Sequence, residues 1–428
     1  MPSLMQDTSS RGPGHFPARA AFAVGLGNAL EFYDFVTFSF FALQIGRTFF
    51  PQIQPSHALL YALATFGAGF LTRPLGGLVI GAYGDRAGRR PAMMLSITIM
   101  GTAIVGMALT PSYAAVGIIG PITLLIFRLL QGFALGGEVG PSTAYLVEAA
   151  PLHRRGLYST LQSGTQALAS LAAGVVGFAL ASCMSEAALD AWGWRVALLI
   201  GAAVVPAGLY IRHRLPEAAH WAGRRDVQLP RARVPLRLIT LSALILGAMT
   251  IQTYVRNYMT TYAKNTLKLA ASAAFGATIV GGACALLGAL ASGVLSDRVG
   301  RKPVMLGGLC VLLLTQVPGF ILMNRFPTIP IVFCVTGFFS FVGVAAAAPS
   351  LLAITESIPS AIRSGTVGTL YSVAIAIFGG TTQFVIQWLI GVTGNPISPG
   401  WYNAAALVVG GIAMAMIPES APRGVPRS

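Results

Sequence analysis

The stretch GAYGDRAGRR, at residues 81–90, decides how this chain is organised, because it occurs twice. Its second copy is GVLSDRVGRK, at residues 293–302, and the aspartates of the two copies, Asp85 and Asp297, stand 212 positions apart in a chain of 428 residues. Each copy lies between two long apolar runs. A charged hairpin that recurs after half the chain predicts two copies of one helical bundle.

A second set of residues repeats at almost the same offset. Four residues of the first half recur 208 positions later, so that Pro141, Glu148, Pro151 and Arg155 correspond to Pro349, Glu356, Pro359 and Arg363. Two independent sets at nearly the same offset are difficult to obtain by chance. Parallel repeats of this kind are an architecture of membrane transporters.

The composition is that of a polytopic membrane protein. Hydrophobic residues make up 55% of the chain, charged residues make up 10%, and the mean hydropathy is +0.71, whereas a soluble domain carries about 25% charged residues. Apolar runs of bilayer-spanning length predict an all-α membrane protein with twelve transmembrane helices in two six-helix bundles. The predicted spans are 19–44, 57–81, 91–111, 116–147, 157–182, 193–213, 238–263, 270–296, 303–323, 328–355, 365–391 and 400–417.

These spans divide the chain into five consecutive parts. We predict a cytoplasmic tail at 1–18, a first bundle at 19–213, a linker at 214–237, a second bundle at 238–417 and a second cytoplasmic tail at 418–428. The stretch from 212 to 237 holds seven arginines. Such a linker is basic enough to lie against anionic membrane lipids, or it serves only to tether the bundles and fix their topology.

The position of the basic residues explains the net charge of +15. Roughly 20 of the lysines and arginines fall in the tails, the linker and alternate loops, and about four fall in the opposite loops, which is the positive-inside pattern. Those four are Arg47, Lys264, Lys268 and Arg325. The pattern predicts that both termini are cytoplasmic, and it leaves no folded soluble domain to bind nucleic acid.

Several classes of activity have no supporting motif. No phosphate-binding G-x-x-x-x-G-K-[S/T] motif is present, so direct use of ATP is not expected, and no hydrolase or metalloprotease motif occurs. The four cysteines stand in apolar surroundings without a C-x-x-C spacing and are predicted to be packing thiols. We therefore expect no enzyme, no bound metal and no cofactor.

The first predicted helix carries Asn28, Glu31 and Asp34 along one side. Ionisable groups inside membrane helices are costly and usually functional. Two carboxylates three positions apart are near neighbours, and repulsion and desolvation favour a proton on one of them. Glu31 and Asp34 are therefore candidates for proton coupling, with Asp34 preferred. The alternative is a carboxylate held in a structural ion pair.

The fourth predicted helix offers Arg128 and Gln131, three positions apart. Arg128 is a partner for Glu31 or Asp34, and its guanidinium also suits a substrate carboxylate. Competition between those two partners would couple the proton to the substrate. A permanent ion pair between Arg128 and a carboxylate of the first helix is the structural alternative.

Other polar residues are candidates for substrate contact. Gln162 and Gln166 lie one turn apart in the fifth helix, where they orient a ligand or form hydrogen bonds between helices. Arg256 is the basic residue that lies well inside the spans of the second half, unless it is an anchor near the outer end. Tyr258 on the same helix and Tyr371 on the eleventh complete the set.

The two repeated hairpins are candidate gates. Their acidic residues are predicted to accept hydrogen bonds from a neighbouring helix end, and their arginines to hold carboxylates. Topology signalling alone is the alternative. The candidate gating residues are Asp85, Arg86, Arg89, Glu148 and Arg155 in the first half, and Asp297, Arg298, Arg301, Glu356 and Arg363 in the second. Arg73 is expected to pair near Asp85, and Glu356 with Arg363.

These residues resemble a known family. The repeated hairpin is similar to the signature loop of the major facilitator superfamily. Within it, GNALEFYDF at 27–35, RLLQGF at 128–133 and WGWR at 192–195 resemble the metabolite:proton symporters. QSGTQ at 162–166 and SPGWY at 398–402 are similar to the citrate and tricarballylate symporters, and the resemblance covers nearly the whole chain.

The resemblance implies two six-helix bundles around a central cavity, and import of a small carboxylate with protons across the bacterial inner membrane. The substrate that the resemblance favours is a citrate-like di- or tricarboxylate. Proton symport of proline, glycine betaine or 2-oxoglutarate is the alternative, and a membrane sensor or enzyme is a remote one. The run Ala345–Ala348 and Arg256 depart from the citrate pattern, which predicts a larger and more positive pocket. The twelve-helix unit is expected to work as a monomer.

Overall fold

The structure is a computed structural model that describes residues 28–29, 32–87, 89–136, 155–202, 205–206, 234–359 and 362–420. These residues form helices, turns and short connections, and they contain no strand. The all-α architecture predicted from the composition is therefore confirmed. Each of the twelve predicted spans contains helical residues in this part of the chain.

Six labels describe the helices of the first half. They are α1 (residues 32–40 and Ala42–Phe49), α2 (Pro55–Ala68 and Arg73–Ala87), α3 (Arg89–Leu109), α4 (Ile119–Leu135), α5 (Arg155–Cys183) and α6 (Trp194–Ala202). Short helical turns at Tyr113–Val116 and Glu186–Ala188 connect the helices at one end of this bundle.

The second half is more regular. Its helices are α7 (Leu236–Asn265), α8 (Ala271–Val299), α9 (Arg301–Arg325), α10 (Ile329–Ser357), α11 (Arg363–Ala374 and Gly380–Thr393, joined by a wide turn at Ile375–Gly379) and α12 (Ser398–Met416). Seven helices in the described part are long and apolar enough to cross a membrane.

The second predicted span, 57–81, differs from the structure because α2 is interrupted at residues 69–72. Pro74 stands at the start of the resumed helix, and proline has no backbone N–H to continue the hydrogen bonds of the preceding turn. Thr72 fills the interruption by donating its hydroxyl to the carbonyl of Leu129 at 2.6 Å. The break therefore ties α2 to α4.

The two halves pack directly against each other. α5 runs along α8, and α2 runs along α11. The backbones meet closely at Gly67, where an added Cβ would lie 2.1 Å from the carbonyl oxygen of Gly380. Phe41 of α1 lies against Phe275 of α8, with their ring centroids 4.9 Å apart. Each of the two large apolar clusters lies mainly in one half and includes some residues of the other half, so the apolar core continues across this interface.

We call the end of the molecule that carries residues 81–90 and 293–302 the hairpin end. The opposite end carries the connections from α1 to α2 and from α7 to α8. A site that lies between the halves is therefore accessible only if one of these ends opens.

Candidate functional site

Asp34 is buried in α1 and faces α6. Its side chain is 1% exposed, and its Oδ1 lies so close to Gly201 that a Cβ there would be 1.6 Å away. Among the described residues, Oδ1 has no hydrogen-bond partner. An ionised carboxylate without a partner is unfavourable in an apolar interior, so this geometry suits a carboxyl group that takes up and releases a proton.

Arg128 is fully buried beside α1. Its guanidinium lies 4.5 Å from the ring centroids of Phe35 and Phe38 and 4.7 Å from that of Phe66. It donates one hydrogen bond to Gln131, while Nε and Nη2 have no partner in the part of the chain that the structure describes. The aromatic faces stabilise the cation.

The permanent ion pair between Arg128 and Asp34 is not formed here. No ion pair within 4 Å joins these two described residues, although Arg128 exerts an electrostatic attraction on Asp34. Glu31, the other predicted partner, lies outside the described residues. Arg128 therefore lies close enough to Asp34 to respond to its charge and is not locked to it.

The polar patch of α5 makes contacts in two directions. Asn28 donates to the carbonyl of Gln162 at 3.2 Å and to the hydroxyl of Thr165 at 2.7 Å. Gln166 lies near Tyr371 of α11, in the other half. The patch thus makes the interhelical hydrogen bonds that were the alternative to ligand orientation, and Gln166 also links the two halves.

A small cavity lies between the halves and includes Arg256. The first half contributes Phe40 and Ser170, and the second half contributes the rest of the lining. The polar residues supplied by the second half are Arg256, Asn257, Thr260, Thr278, Thr336 and Ser340. We call this space the Arg256 cavity. Nη1 of Arg256 is buried and, within the described residues, has no hydrogen-bond partner.

A second small cavity adjoins the first. It shares Phe40 and Thr260 with the Arg256 cavity, and it adds Gln44 and Lys264. We call this space the Lys264 cavity. Lys264 lies in the last turn of α7, whose end is fixed by Tyr262 through a hydrogen bond to the carbonyl of Pro396 at 2.7 Å. Lys264 therefore faces the interior from a helix and is not a loop residue as the charge pattern predicted.

The other predicted substrate residues lie outside the lining of both cavities. Tyr258 is 1% exposed and donates its hydroxyl to Gln387 at 2.5 Å. Arg128 and Gln131 contact each other on the first-half side. Among the described residues, the structure thus brings Arg256 to the cavity and places the remaining candidates around it.

α1 connects the Asp34 region with the cavities. Ser39 and Gln383 form two hydrogen bonds, of 2.9 and 2.7 Å, between α1 and α11. The next residue, Phe40, lines both cavities. Asp34 and Phe40 are six positions apart, about 9 Å along a helix. One continuous helical stretch therefore joins Asp34 to the interface between the halves.

Asp297 closes the hairpin end between α8 and α5. Its carboxylate accepts hydrogen bonds from the backbone N–H of Gly156 at 2.8 Å and of Leu157 at 3.0 Å. These N–H groups lie in the first turn of α5, where a negative charge is favourable. Asp297 also pairs with Arg301 at 2.7 Å. This is the contact to a neighbouring helix end that the hairpin sequence predicts.

The second hairpin is held by a wider charged network. Arg301 is 1% exposed and contacts Glu356 at 3.4 Å. Glu419 accepts from the backbone N–H groups of Arg301 and Lys302, at 3.0 and 2.9 Å. Arg363, the expected partner of Glu356, instead donates its Nε to the carbonyl of Ile358 at 3.2 Å.

The first hairpin is described less completely. Arg86 is exposed, whereas the side chains of Asp85 and Arg89 and the whole of Glu148 lie outside the described part. Arg155 begins α5 beside the Asp297 contact, and Arg298 follows Asp297 in α8. Arg73, which was expected near Asp85, lies over the rings of Phe35 and Phe70 at 4.8 and 4.6 Å.

Sequence reasoning named Gln383 of the eleventh helix as a weaker candidate and missed three others: Lys264, Ser39 and Glu419. Lys264 follows Arg256 by eight positions, and this spacing would place both residues on one face of a helix. The spacing was overlooked because Lys264 was assigned to a loop. Glu419 stands near the end of the chain, and nothing local indicates that it binds the start of α9.

Two helical halves that enclose a polar cavity, with one end closed by a charged contact, define a membrane transporter. Residues 20–238 match the sugar (and other) transporter family. The chain is 34% identical over 397 residues to a citrate-proton symporter of Klebsiella pneumoniae, covering 91% of this chain and 89% of that protein. It is 32% identical over 429 residues to a proline/betaine transporter of Escherichia coli K12, covering 95% and 84%.

A solved structure shares the fold. The crystal structure of a D-xylose-proton symporter matches with a TM-score of 0.76 at 19% identity, over 95% of this chain and 99% of that one. The chain belongs to the major facilitator superfamily. It is therefore a multi-pass membrane transporter and not an enzyme, as its motifs predicted.

Proposed function

We propose that this transporter imports a small carboxylate together with protons, and that its substrate is a citrate-like di- or tricarboxylate. Protons are the coupling ion, and no cofactor is required. The transporter acts as a monomer in the bacterial inner membrane with both termini in the cytoplasm, which agrees with its basic loops.

The observation that carries this proposal is the position of Arg256. Its Nη1 is buried at a cavity between the halves, and no Asp or Glu occurs among the described residues that line that cavity. A buried cation without an acidic neighbour requires compensation by an anion. The free hydroxyls of Thr336 and Ser340 in the same lining add hydrogen-bond donors for carboxylate oxygens.

The proton site lies in the other half. Asp34 meets Gly201 of α6 and experiences the charge of Arg128. Loss of a proton from Asp34 places a charge next to the bare backbone of Gly201, and attraction by Arg128 then draws α1 toward α4. Because α1 also carries Ser39 and Phe40, the change reaches the substrate cavity. Coupling thus runs along α1 and does not require direct contact between the carboxyl group and the substrate.

The similarity to a proline/betaine transporter keeps a zwitterionic substrate as the second candidate. An ammonium group would favour an aromatic cage. Phe40 is the aromatic residue in the described lining of the Arg256 cavity, whereas Tyr254 packs on Phe70 at 5.5 Å and Tyr258 binds Gln387. The cavity therefore favours an anion. 2-Oxoglutarate, a dicarboxylate, stays within the same proposal.

The test is uptake of labelled citrate into proteoliposomes that contain the purified protein. We expect accumulation above the external concentration under an inward proton gradient, and its collapse on addition of a protonophore. Parallel vesicles with labelled 2-oxoglutarate, proline and glycine betaine identify the substrate. Accumulation of proline or betaine without citrate would overturn the carboxylate assignment, and citrate uptake that ignores the gradient would overturn proton coupling.

A further inference from the structure

Arg256, Thr260 and Lys264 occupy successive turns of one face of α7. Their spacing of four residues places them on the same side of the helix. Thr260 lines both cavities, with Arg256 in one and Lys264 in the other. The two cavities are therefore neighbours along α7.

Each of the two cavities contains a buried cationic atom that lacks a hydrogen bond. Nζ of Lys264, like Nη1 of Arg256, is buried without a hydrogen-bond partner among the described residues. The acidic residues that act electrostatically on Lys264 are Asp190 and Glu186. Asp190 already forms an ion pair with Arg47 at 2.5 Å. Neither acidic residue lines the described part of the Lys264 cavity.

Two separate cations on one helix select the number of anionic groups on a ligand. Arg256 and Lys264 are eight residues apart, which is a rise of about 12 Å between their backbone positions. A ligand that contacts both cations therefore needs two anionic groups, each of which accepts a charge-assisted hydrogen bond. A monocarboxylate carries only one such group.

We propose that Lys264 is a second substrate anchor, so that the substrate carries at least two carboxylates, one held by Arg256 and one by Lys264. The hydroxyl of Thr260, which is 2.5 Å from that of Thr278, lies between them and contacts the middle of the substrate. This inference rests on the proposed function, because it takes the substrate to be an anion. It excludes zwitterions with one carboxylate, whose ammonium group Lys264 repels.

The experiment measures binding by calorimetry on the full-length protein purified in detergent. The two ligands are citrate and 2-hydroxyisobutyrate, which keeps the central hydroxyl and carboxylate of citrate and lacks both outer carboxylates. The variants are Lys264→Gln, Arg256→Gln and Lys264→Arg. Lys268→Gln is the matched control, because Lys268 is an exposed lysine four positions further along that lines neither cavity.

We expect Lys264→Gln to weaken citrate binding by about 10- to 100-fold, the loss of one charge-assisted hydrogen bond. Binding of 2-hydroxyisobutyrate should change less than about threefold, since that ligand has only one carboxylate for the two anchors. Lys264→Arg should restore most of the citrate affinity, and Lys268→Gln should resemble the unmodified protein. Unchanged elution volume and melting temperature without ligand show that the variants are folded.

Two results would overturn the anchor. One is citrate binding by Lys264→Gln that equals binding by Lys268→Gln, and the other is an equal loss for both ligands. Proteoliposome uptake separates this failure from failure of the proposed function. If Lys264→Gln still accumulates citrate with an unchanged KM, carboxylate symport stands and the anchor is wrong. If the unmodified protein accumulates only proline or betaine, both are wrong.

Discussion

At the scale of single residues, Asp34 has the environment of a proton carrier. Its carboxyl group is buried against a glycine and is not locked to the neighbouring arginine. A structural carboxylate would instead be expected to hold a close ion pair, because burial of an unpaired charge is costly. The contacts of Asp34 therefore agree with the role predicted for it from the first helix.

The change Asp34→Asn is expected to abolish accumulation of substrate against its gradient while counterflow exchange continues. Asparagine has the same shape and cannot exchange a proton in this way. The measurement is uptake and exchange in the same proteoliposomes, with Asp226→Asn as the control, because Asp226 lies in the predicted linker. Loss of both activities in Asp34→Asn would indicate a structural role.

The position of Arg128 depends on the planar shape of its guanidinium group as well as on its charge. The change Arg128→Lys keeps the charge but loses the planar group that lies among Phe35, Phe38 and Phe66, and a lysine at such a site is not equivalent. We expect proton-driven uptake to fall at least about tenfold, equal to roughly 1.4 kcal/mol. Arg325→Lys is the control, since Arg325 lies over Phe326 but is exposed. Equal rates in both variants would contradict this role.

At the scale of helices, the approach of α1 to α6 depends on Gly201. An added Cβ would lie 1.6 Å from Asp34, so Gly201→Ala must displace the carboxyl group or separate the helices. We expect a loss of about 1–3 kcal/mol of stability and a loss of proton-driven uptake. A melting curve in detergent and an uptake assay measure the two effects.

Gly164→Ala is the control for this helix contact. The nearest atom to a Cβ at Gly164 is Cδ1 of Leu286, at 3.5 Å, and alanine in a helix interior is more favourable than glycine by about 0.5–1 kcal/mol. Stability should therefore be kept or raised. Equal stability and activity in Gly201→Ala and Gly164→Ala would mean that the α1–α6 contact adapts freely.

Helix positions were predictable because hydropathy and length are local properties of the chain. The interruption of α2 and the inward orientation of Lys264 were not, because they depend on neighbouring helices. Thr72 binds α4 where α2 is interrupted, and Phe40, Leu43 and Phe275 cover the last turn of α7. From the sequence alone, a lysine near the end of a helix is assigned to a loop, because its burial depends on those neighbouring residues.

At the scale of the whole molecule, the described residues of the two halves contact each other toward both ends. Asp297 holds α5 at the hairpin end, and Phe41 packs on Phe275 toward the opposite end. The repeated hairpin predicted the first of these contacts, since a carboxylate and a helix end attract each other. It could not predict that Glu419, far along the chain, completes the same network.

The change Asp297→Asn is expected to move the equilibrium toward opening at the hairpin end. Loss of the charged contact with the first turn of α5 should cost about 1–2 kcal/mol, which shifts the population about 5- to 30-fold. Spin labels at Ser159 and Leu295, in α5 and α8, report the distance between the helices. Arg325→Gln, at the other end, should leave that distance unchanged. An unaltered distribution of the spin-label distance in Asp297→Asn would show that Asp297 does not act in gating.

The first helices of the two halves differ in their buried charges. α1 has the buried Asp34, whereas α7 has Arg256 and Lys264. In the proposed mechanism, the first half therefore supplies the proton coupling and the second half supplies the substrate selectivity. Mutations in α7 can then change the nutrient that is taken up while the use of the proton gradient is inherited unchanged. Such a division allows relatives with the same fold to transport different substrates while they keep the same proton-coupling site.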